Sequence, residues 1–81
     1  MQRYYVHIVD GNKIHRDSEG SEAANLKAAE ELAQDAAREL VAEALMNKKS
    51  NCSAVLLVED DQERQLFEIS VSCNLSTIWL I

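Results

Sequence analysis

The side chains of this sequence that are best suited to chemistry are two histidines, two cysteines and a surplus of carboxylates. His7 stands near Asp10 and Asp17 in the sequence, and a histidine beside a carboxylate can act as a general base or bind a metal ion. An active site also needs a nucleophile or a second acid, together with a pocket, and no motif in the chain supplies them. We therefore interpret His7 as a strand histidine that bonds to backbone or carboxylate groups, or packs beside a tyrosine. An enzyme or metal protein that uses His7 with Asp10 or Asp17 is the alternative hypothesis.

Several carboxylates cluster in the run EDDQE at residues 59–63. A calcium-binding loop needs alternating acidic positions, a central glycine and a distal glutamate, and this run has none of that layout. The only two glycines, Gly11 and Gly20, cannot form a glycine-rich phosphate-binding loop. The run is typical of a solvated turn, and the sequence predicts no metal site and no cofactor.

Neither Cys52 nor Cys73 belongs to a Cys-x-x-Cys unit, and two cysteines do not make the disulfide framework of a small secreted protein. Free cysteines are often buried, so we interpret both as small, half-buried side chains. They come close together if their strands pair. A reducing compartment would keep them as thiols, and the sequence leaves their redox state open.

The formal net charge is −6, and the eight basic residues are scattered along the chain. Nucleic acids and anionic membranes are unfavourable partners for such a surface, because both require clustered Lys and Arg. The negative charge is compatible with another role, in which this protein is an acidic regulatory partner of a basic protein. The chain has neither an apolar run of transmembrane length nor a signal-peptide layout at its first residues, so we predict a cytoplasmic protein.

The length indicates a single domain over residues 1–81. This is near the size at which one hydrophobic core is only just sufficient to stabilise a fold. Its longest element is a helix predicted over residues 25–47, because apolar residues recur three or four positions apart between charged ones. Asn25 is the predicted N-cap, and Ser21 would start the helix one turn earlier. The apolar stripe is rich in alanine, which favours close approach of the helix to the surface below it.

Residues 3–16 are predicted to form a β-hairpin around the turn sequence Asp-Gly-Asn. With Gly and Asn as the two loop residues, Val9 faces Ile14 and His7 faces Arg16. The two histidines then lie on opposite faces of the ribbon. A loop one residue longer would shift this register.

Residues 54–71 are predicted to form a second hairpin, with strands at 54–58 and 66–71. Phe67 shares one face of its strand with two other apolar residues, and we assign that face to the helix. Apolar residues are left over for the outer face of the sheet, which is then more apolar than an exposed surface should be.

The last ten residues, 72–81, form an apolar tail that contains the only tryptophan. The tail is interpreted as a fifth strand, or as a flap that covers the outer sheet face of its own chain or of a partner. We expect it to be ordered, because four consecutive large apolar residues left free in water favour aggregation. The candidate interface residues are Val55, Leu57, Leu66, Leu75, Ile78, Trp79 and Leu80.

A set of short motifs resembles a family of small bacterial proteins known only as a domain of unknown function. The family pattern is Arg-Tyr-(Tyr/Phe)-x-His, then Asp-Gly, Asp-x-x-Gly, a helix start Asp-Leu-x-x-Ala and a hairpin Thr-Asp-x-x-Gly. The likeness covers about residues 2–71 and rests on Arg3, Tyr4, Tyr5, His7, Asp10, Gly11, Asp17, Gly20, Asn25, Leu26, Ala28, Ala29 and Asp60. The resemblance implies a shared fold and no known activity.

Two departures from that pattern concern backbone geometry. Ala23-Ala24-Asn25 replaces the family's Leu-Pro-Asp before the helix, which weakens the sharp helix start. Glu63 replaces the hairpin glycine, so this turn either adopts another geometry or holds Glu63 in a costly backbone region.

The predicted fold is α+β: two antiparallel hairpins (ββ-α-ββ) form one sheet, and a single long helix packs on one face. The strand order is not predicted. Since one helix covers one side of a sheet, we expect a small non-enzymatic binding or assembly module. It would self-associate as a homo-oligomer through the outer sheet face, an edge strand or the tail.

Overall fold

A computed structural model describes all residues from Met1 to Ile81. It contains five antiparallel strands in one sheet and one helix, which confirms the predicted α+β class. The elements in chain order are β1 (Gln2–Asp10), β2 (Lys13–His15), β3 (Ser21–Ala23), α1 (Leu26–Met46), β4 (Asn51–Glu59) and β5 (Gln65–Asn74).

The strand order is β2-β1-β4-β5, with the short β3 also paired to β1. The first half of β1 pairs with β3 and its last residues pair with β2, so β2 and β3 lie one after the other along the same edge of β1. β4 pairs with the other edge of β1, and β5 is left as the ten-residue strand at the opposite edge of the sheet.

The first hairpin keeps the predicted two-residue loop, with Asp10 opposite Lys13 and Val9 opposite Ile14. Gly11 supplies the positive φ of this turn, +63°. The predicted pairing of His7 with Arg16 is wrong, because β2 already ends at His15. Residues 16–20 leave the strand ladder at that point, and we call this connection between β2 and β3 the bulge.

α1 begins and ends close to the predicted limits. The Asn25 side chain accepts a hydrogen bond from the Ala28 N–H at 2.9 Å, which confirms Asn25 as the N-cap. At the other end Lys48 has a φ of +61°, and its N–H bonds to the Leu45 carbonyl while the Lys49 N–H bonds to the Ala44 carbonyl. These two bonds form a Schellman motif, in which glycine usually occupies the left-handed position.

The sheet packs on α1 through a small core at the N-terminal half of the helix. We call this region the closed end and define it by its buried cluster, Tyr4, Ala23, Ala29, Ala33 and Val58. Val6, Phe67 and Ile69 pack against this cluster, so the assignment of the Phe67 face to the helix is confirmed. The alanines let the helix backbone approach the sheet closely, as the stripe predicted.

The second hairpin is longer than predicted at both ends. Ser72 to Asn74 continue β5 opposite Asn51 to Ser53, so the segment without regular structure starts at Leu75. Within this chain, residues 75–81 form neither a fifth strand nor a flap over the outer face. The Leu75 N–H bonds to the Ser50 carbonyl, and the large side chains beyond it are exposed.

The overall shape reflects this extended tail. The radius of gyration is 14.9 Å and the longest dimension is 57 Å, whereas a compact domain of this length has a radius of gyration of about 12 Å. The single helix lacks the long apolar stretch that a membrane-spanning helix needs.

Candidate functional site

His7 lies in the middle of β1 on the sheet face opposite α1, and its side chain is buried. Its Nδ1 accepts a hydrogen bond from the Asp17 backbone N–H at 3.0 Å. Its Nε2 lies 3.1 Å from Glu59 Oε1, and because Nδ1 accepts, Nε2 carries the hydrogen and donates it. Both ring nitrogens are therefore engaged within the fold.

Asp17 closes the gap that the bulge leaves along the edge of β1. One carboxylate oxygen accepts the Val6 N–H at 3.1 Å, and the other accepts the Gly20 N–H at 2.9 Å. Val6 has no partner strand on this edge, so the Asp17 side chain takes the place of a missing ladder bond. Asp17 is thus a fold-building residue that reaches His7 through its backbone.

The structure does not bring Asp10 to His7. Asp10 flanks the hairpin turn opposite Lys13 and projects to the α1 side of the sheet, two residues from Ile8. The residue that does meet His7 is Glu59, which the sequence reasoning missed because the pairing of β1 with β4 was not predicted. The hypothesis of a catalytic or metal-binding His7 with Asp10 or Asp17 gains no support from this geometry.

Arg3 and Gly20 of the motif set also build the closed end. Arg3 donates to the Glu19 carbonyl at 2.8 Å and to the Glu22 carboxylate at 3.2 Å, which ties the bulge and β3 to β1. Gly20 has a φ of +71°, and a Cβ there would lie 2.8 Å from the Tyr4 carbonyl oxygen and from the ring of Tyr5. Only glycine fits at this contact.

Asp60 organises the turn between β4 and β5. Its carboxylate is buried and accepts hydrogen bonds from the backbone N–H groups of Gln62 and Arg64 and from the Arg64 guanidinium. The backbone bond from Arg64, followed by that from Gln62, lowers the pKa of the Asp60 carboxyl below its usual value. Glu63 has a φ of +62°, which confirms the second of the two predicted geometries for this turn.

The C-terminal half of α1 is flanked by open space, in contrast to the closed end. We call this region the open end and define it by a cleft on one side of α1, a groove on its other side, and the tail 75–81. The cleft has a volume of about 950 Å³ and lies between α1 and the first hairpin, with Asp10, His15, Glu43, Lys49 and Cys52 among its lining residues. The structure contains no group of three His, Cys, Asp or Glu side chains that could hold a metal ion.

The groove is smaller and more apolar than the cleft. It has a volume of about 500 Å³ and lies between α1 and the exposed edge strand β5. Its apolar lining is formed by Ala37, Val41, Ala42, Leu45, Ile69 and Val71. The helix presents a shallow surface here because two of its lining residues are alanines.

The candidate interface residues lie in three places. Val55 lies opposite Val9 and Leu57 opposite His7, so both are on the outer sheet face, where they are half-buried. Leu66 lies near the β4–β5 turn and is exposed. The other four, Leu75, Ile78, Trp79 and Leu80, are exposed on the tail.

Fold and site together define a small α+β domain whose motif residues maintain its backbone and whose last seven residues form an exposed, largely apolar tail. The chain belongs to the family described as Domain of unknown function (DUF6894), whose sequence model matches residues 3–72. The match confirms the resemblance seen in the motifs. No curated protein and no solved structure matches the chain.

Proposed function

We propose that this protein is a small non-enzymatic assembly module that self-associates through its C-terminal tail. In this proposal residues 75–81 of one copy occupy the groove between α1 and β5 of a second copy. The polar side chains at the closed end that could take part in chemistry already form hydrogen bonds within the fold. They are His7, Asp17 and Asp60. The open end carries the surface that requires a partner.

The observation that carries the proposal is the exposure of the tail. Ile78, Trp79 and Leu80 are 79%, 86% and 92% exposed, and they are consecutive. Burying a large apolar side chain is favourable by about 1.5–3 kcal/mol. Contiguous apolar surface rimmed by polar residues is a mark of an interaction site on a soluble protein.

The groove offers a matching surface. Six of its lining residues are apolar, and Leu45 is itself 42% exposed. The tail follows β5 directly, and Ser72 of β5 is part of the groove wall, so the two surfaces are neighbours in the fold. A seven-residue segment spans at most about 25 Å when it is fully extended.

A second copy is the favoured occupant because each chain carries both the apolar segment and the apolar groove. Two such chains can exchange tails about a two-fold axis, and this closed arrangement satisfies both grooves at once. Stable interfaces bury about 1,200–2,000 Å² in total. Burying Trp79 alone removes roughly 150–250 Å², so a reciprocal exchange of two whole tails reaches that range.

Sedimentation velocity over a series of protein concentrations tests the proposal. We expect the wild-type chain to form dimers, and the triple variant Ile78→Ser/Trp79→Ser/Leu80→Ser to sediment as a monomer. Met46→Ser is the matched control, because Met46 is 83% exposed but lies outside the groove and the tail. A wild-type chain that stays monomeric at high concentration would overturn the proposal.

A second pair of variants distinguishes the groove from the outer sheet face. Leu45→Glu places a charge in the groove and is expected to abolish dimers. Ile14→Glu places the same charge on the outer face, where Ile14 lies opposite Val9, and is expected to leave them intact. The reverse result would assign the docking surface to the outer face.

A further inference from the structure

The two cysteines meet across the β4–β5 ladder. Cys52 lies directly opposite Cys73 in the register of these strands. Both side chains are free thiols, both are half-buried, and they lie on the α1 side of the sheet, since Cys52 lines the cleft. The sequence left open whether these residues are neighbours, and the strand register makes them a facing pair.

In an antiparallel ladder two facing residues form either a hydrogen-bonded or a non-hydrogen-bonded pair. A hydrogen bond at the end of the ladder shows which kind Cys52 and Cys73 form. The Leu75 N–H donates to the Ser50 carbonyl at 2.7 Å, so residues 50 and 75 form a hydrogen-bonded pair. Hydrogen-bonded and non-hydrogen-bonded pairs alternate along an antiparallel ladder, and the only register shift lies far away, at Val58 and Glu59. Cys52 and Cys73 are therefore also a hydrogen-bonded pair.

This geometry permits a disulfide. The Cα atoms of a hydrogen-bonded pair are about 5.5 Å apart, within the range of about 4.4–6.8 Å that disulfides join. The Cβ atoms of such a pair lie towards the long end of about 4.5–5.5 Å, farther apart than the roughly 3.5–4.5 Å of a relaxed disulfide, so the bond forms under strain. The strand backbone resists rearrangement on both sides of the pair. A bond formed under that constraint deviates from relaxed geometry and is reduced more readily than a structural disulfide.

We propose that Cys52 and Cys73 are a redox modification site, which forms a reversible cross-strand disulfide with a low-molecular-weight disulfide as the oxidant. One thiolate attacks oxidised glutathione, forms a mixed disulfide and releases one glutathione thiolate. The thiolate of the second cysteine attacks the protein sulfur of this mixed disulfide and releases the second glutathione thiolate. The protein pair loses two electrons and two protons, and the oxidant becomes two reduced glutathione molecules.

The surroundings of the pair set its rate of reaction. Burial raises the pKa of the Cys52 thiol above its usual value, and the adjacent Cys73 raises it further. Because the thiolate is the attacking species, attack by Cys52 accelerates as the pH rises.

The disulfide would change the open end. Cys52 lines the cleft, and Cys73 stands two residues before the tail begins. A covalent link between the start of β4 and the end of β5 prevents this end of the ladder from fraying. This inference does not depend on self-association, because it uses contacts within one chain.

Intact-mass analysis after incubation with oxidised glutathione tests the proposal on the folded chain at pH 8.5, roughly the pKa of a free thiol. We expect a mass loss of two hydrogen atoms, protection of both cysteines from alkylation, and a cross-linked peptide containing Cys52 and Cys73. A reducing agent should restore the original mass without loss of the folded state.

The single variants Cys52→Ser and Cys73→Ser provide the controls. Each is expected to accumulate a stable glutathione adduct on its remaining cysteine, because no second thiol is present to resolve it. If the wild-type chain also accumulated stable glutathione adducts, or formed disulfides only between chains, the proposal would be overturned. An unchanged wild-type mass, under conditions in which the urea-unfolded chain is oxidised, would overturn it as well.

Discussion

The closed end and the open end of this domain use the same helix and sheet in opposite ways. At the closed end Ala29 and Ala33 pack against Tyr4 and Val58, and the polar groups nearby are paired. At the open end the flanks of α1 remain uncovered, the cleft carries unpaired charges, and the tail extends away from the core.

The difference indicates that the two ends of this small chain have different roles. Few residues are buried, so this domain cannot fill both ends of the helix with large side chains. The motif residues, among them Asp17 and Gly20, secure the backbone at one end. The apolar residues of the tail and groove lie at the other end, where we propose that two copies associate.

The largest effect is expected at Gly20 of the closed end. Gly20→Ala forces an L-residue into a φ of +71° and places its Cβ 2.8 Å from the Tyr4 carbonyl oxygen. We expect a loss of about 3 kcal/mol in the free energy of unfolding, which is a large fraction of the total for a domain of this size. Urea denaturation monitored by circular dichroism measures it.

Gly11→Ala is the matched control for this substitution. Gly11 has a similar φ of +63°, but no atom lies within 4 Å of a Cβ at that position. Its loss should be limited to the backbone strain, about 1 kcal/mol. Equal losses at the two glycines would contradict the close approach at Gly20.

The next effect concerns the two histidines. His7→Phe leaves the Asp17 N–H and the Glu59 carboxylate without their partner, and we expect a loss of about 2 kcal/mol in the free energy of unfolding. His15→Phe, at the open end, should change it by less than about 0.5 kcal/mol, because His15 is exposed. If His7→Phe left the free energy of unfolding unchanged, the structural role assigned to His7 would be contradicted.

A third prediction uses the pH dependence of the Asp60 turn. Because the Asp60 carboxyl has a lowered pKa in the folded state, it contributes stability above its unfolded pKa, and this contribution disappears as the pH falls. Asp60→Asn should lower the melting temperature by roughly 5–10 °C at pH 7. The difference between wild type and variant should shrink below a pH of about 4. A difference that is constant with pH would contradict this role of the carboxylate.

The smallest effects are expected from relief of backbone strain. Glu63 at the closed end and Lys48 at the open end both have positive φ. Glu63→Gly and Lys48→Gly should each raise the free energy of unfolding by about 0.5–1 kcal/mol. Lys49→Gly, at a neighbouring position with ordinary φ, should not stabilise the protein.

Local patterns predicted much of this structure. The spacing of apolar residues located the helix, and capping chemistry located its Asn25 cap. The Asp-Gly-Asn turn predicted the pairing of Val9 with Ile14. The alternation along β5 assigned Phe67 to the helix side. These features depend on residues close together in the chain, where the physical rules are short-ranged.

Features that depend on long-range pairing were not predictable in the same way. The contact of His7 with Glu59 requires the register of β1 against β4, for which the sequence contains no local signal. The pairing of His7 with Arg16 failed because the Asp17 side chain replaces a ladder bond there. The facing arrangement of Cys52 and Cys73 likewise depends on the register of two strands.

Trp79 offers the most direct test of the central claim, since it is the only tryptophan and lies in the tail. Its fluorescence emission can be measured against protein concentration, with Ile78→Ser/Leu80→Ser as a control that retains the fluorophore. We predict that the wild-type emission shifts to shorter wavelength and becomes protected from an aqueous quencher as concentration rises, while the control stays water-exposed. A wild-type Trp79 that keeps the emission and quenching of an exposed indole at every concentration would contradict self-association through the tail.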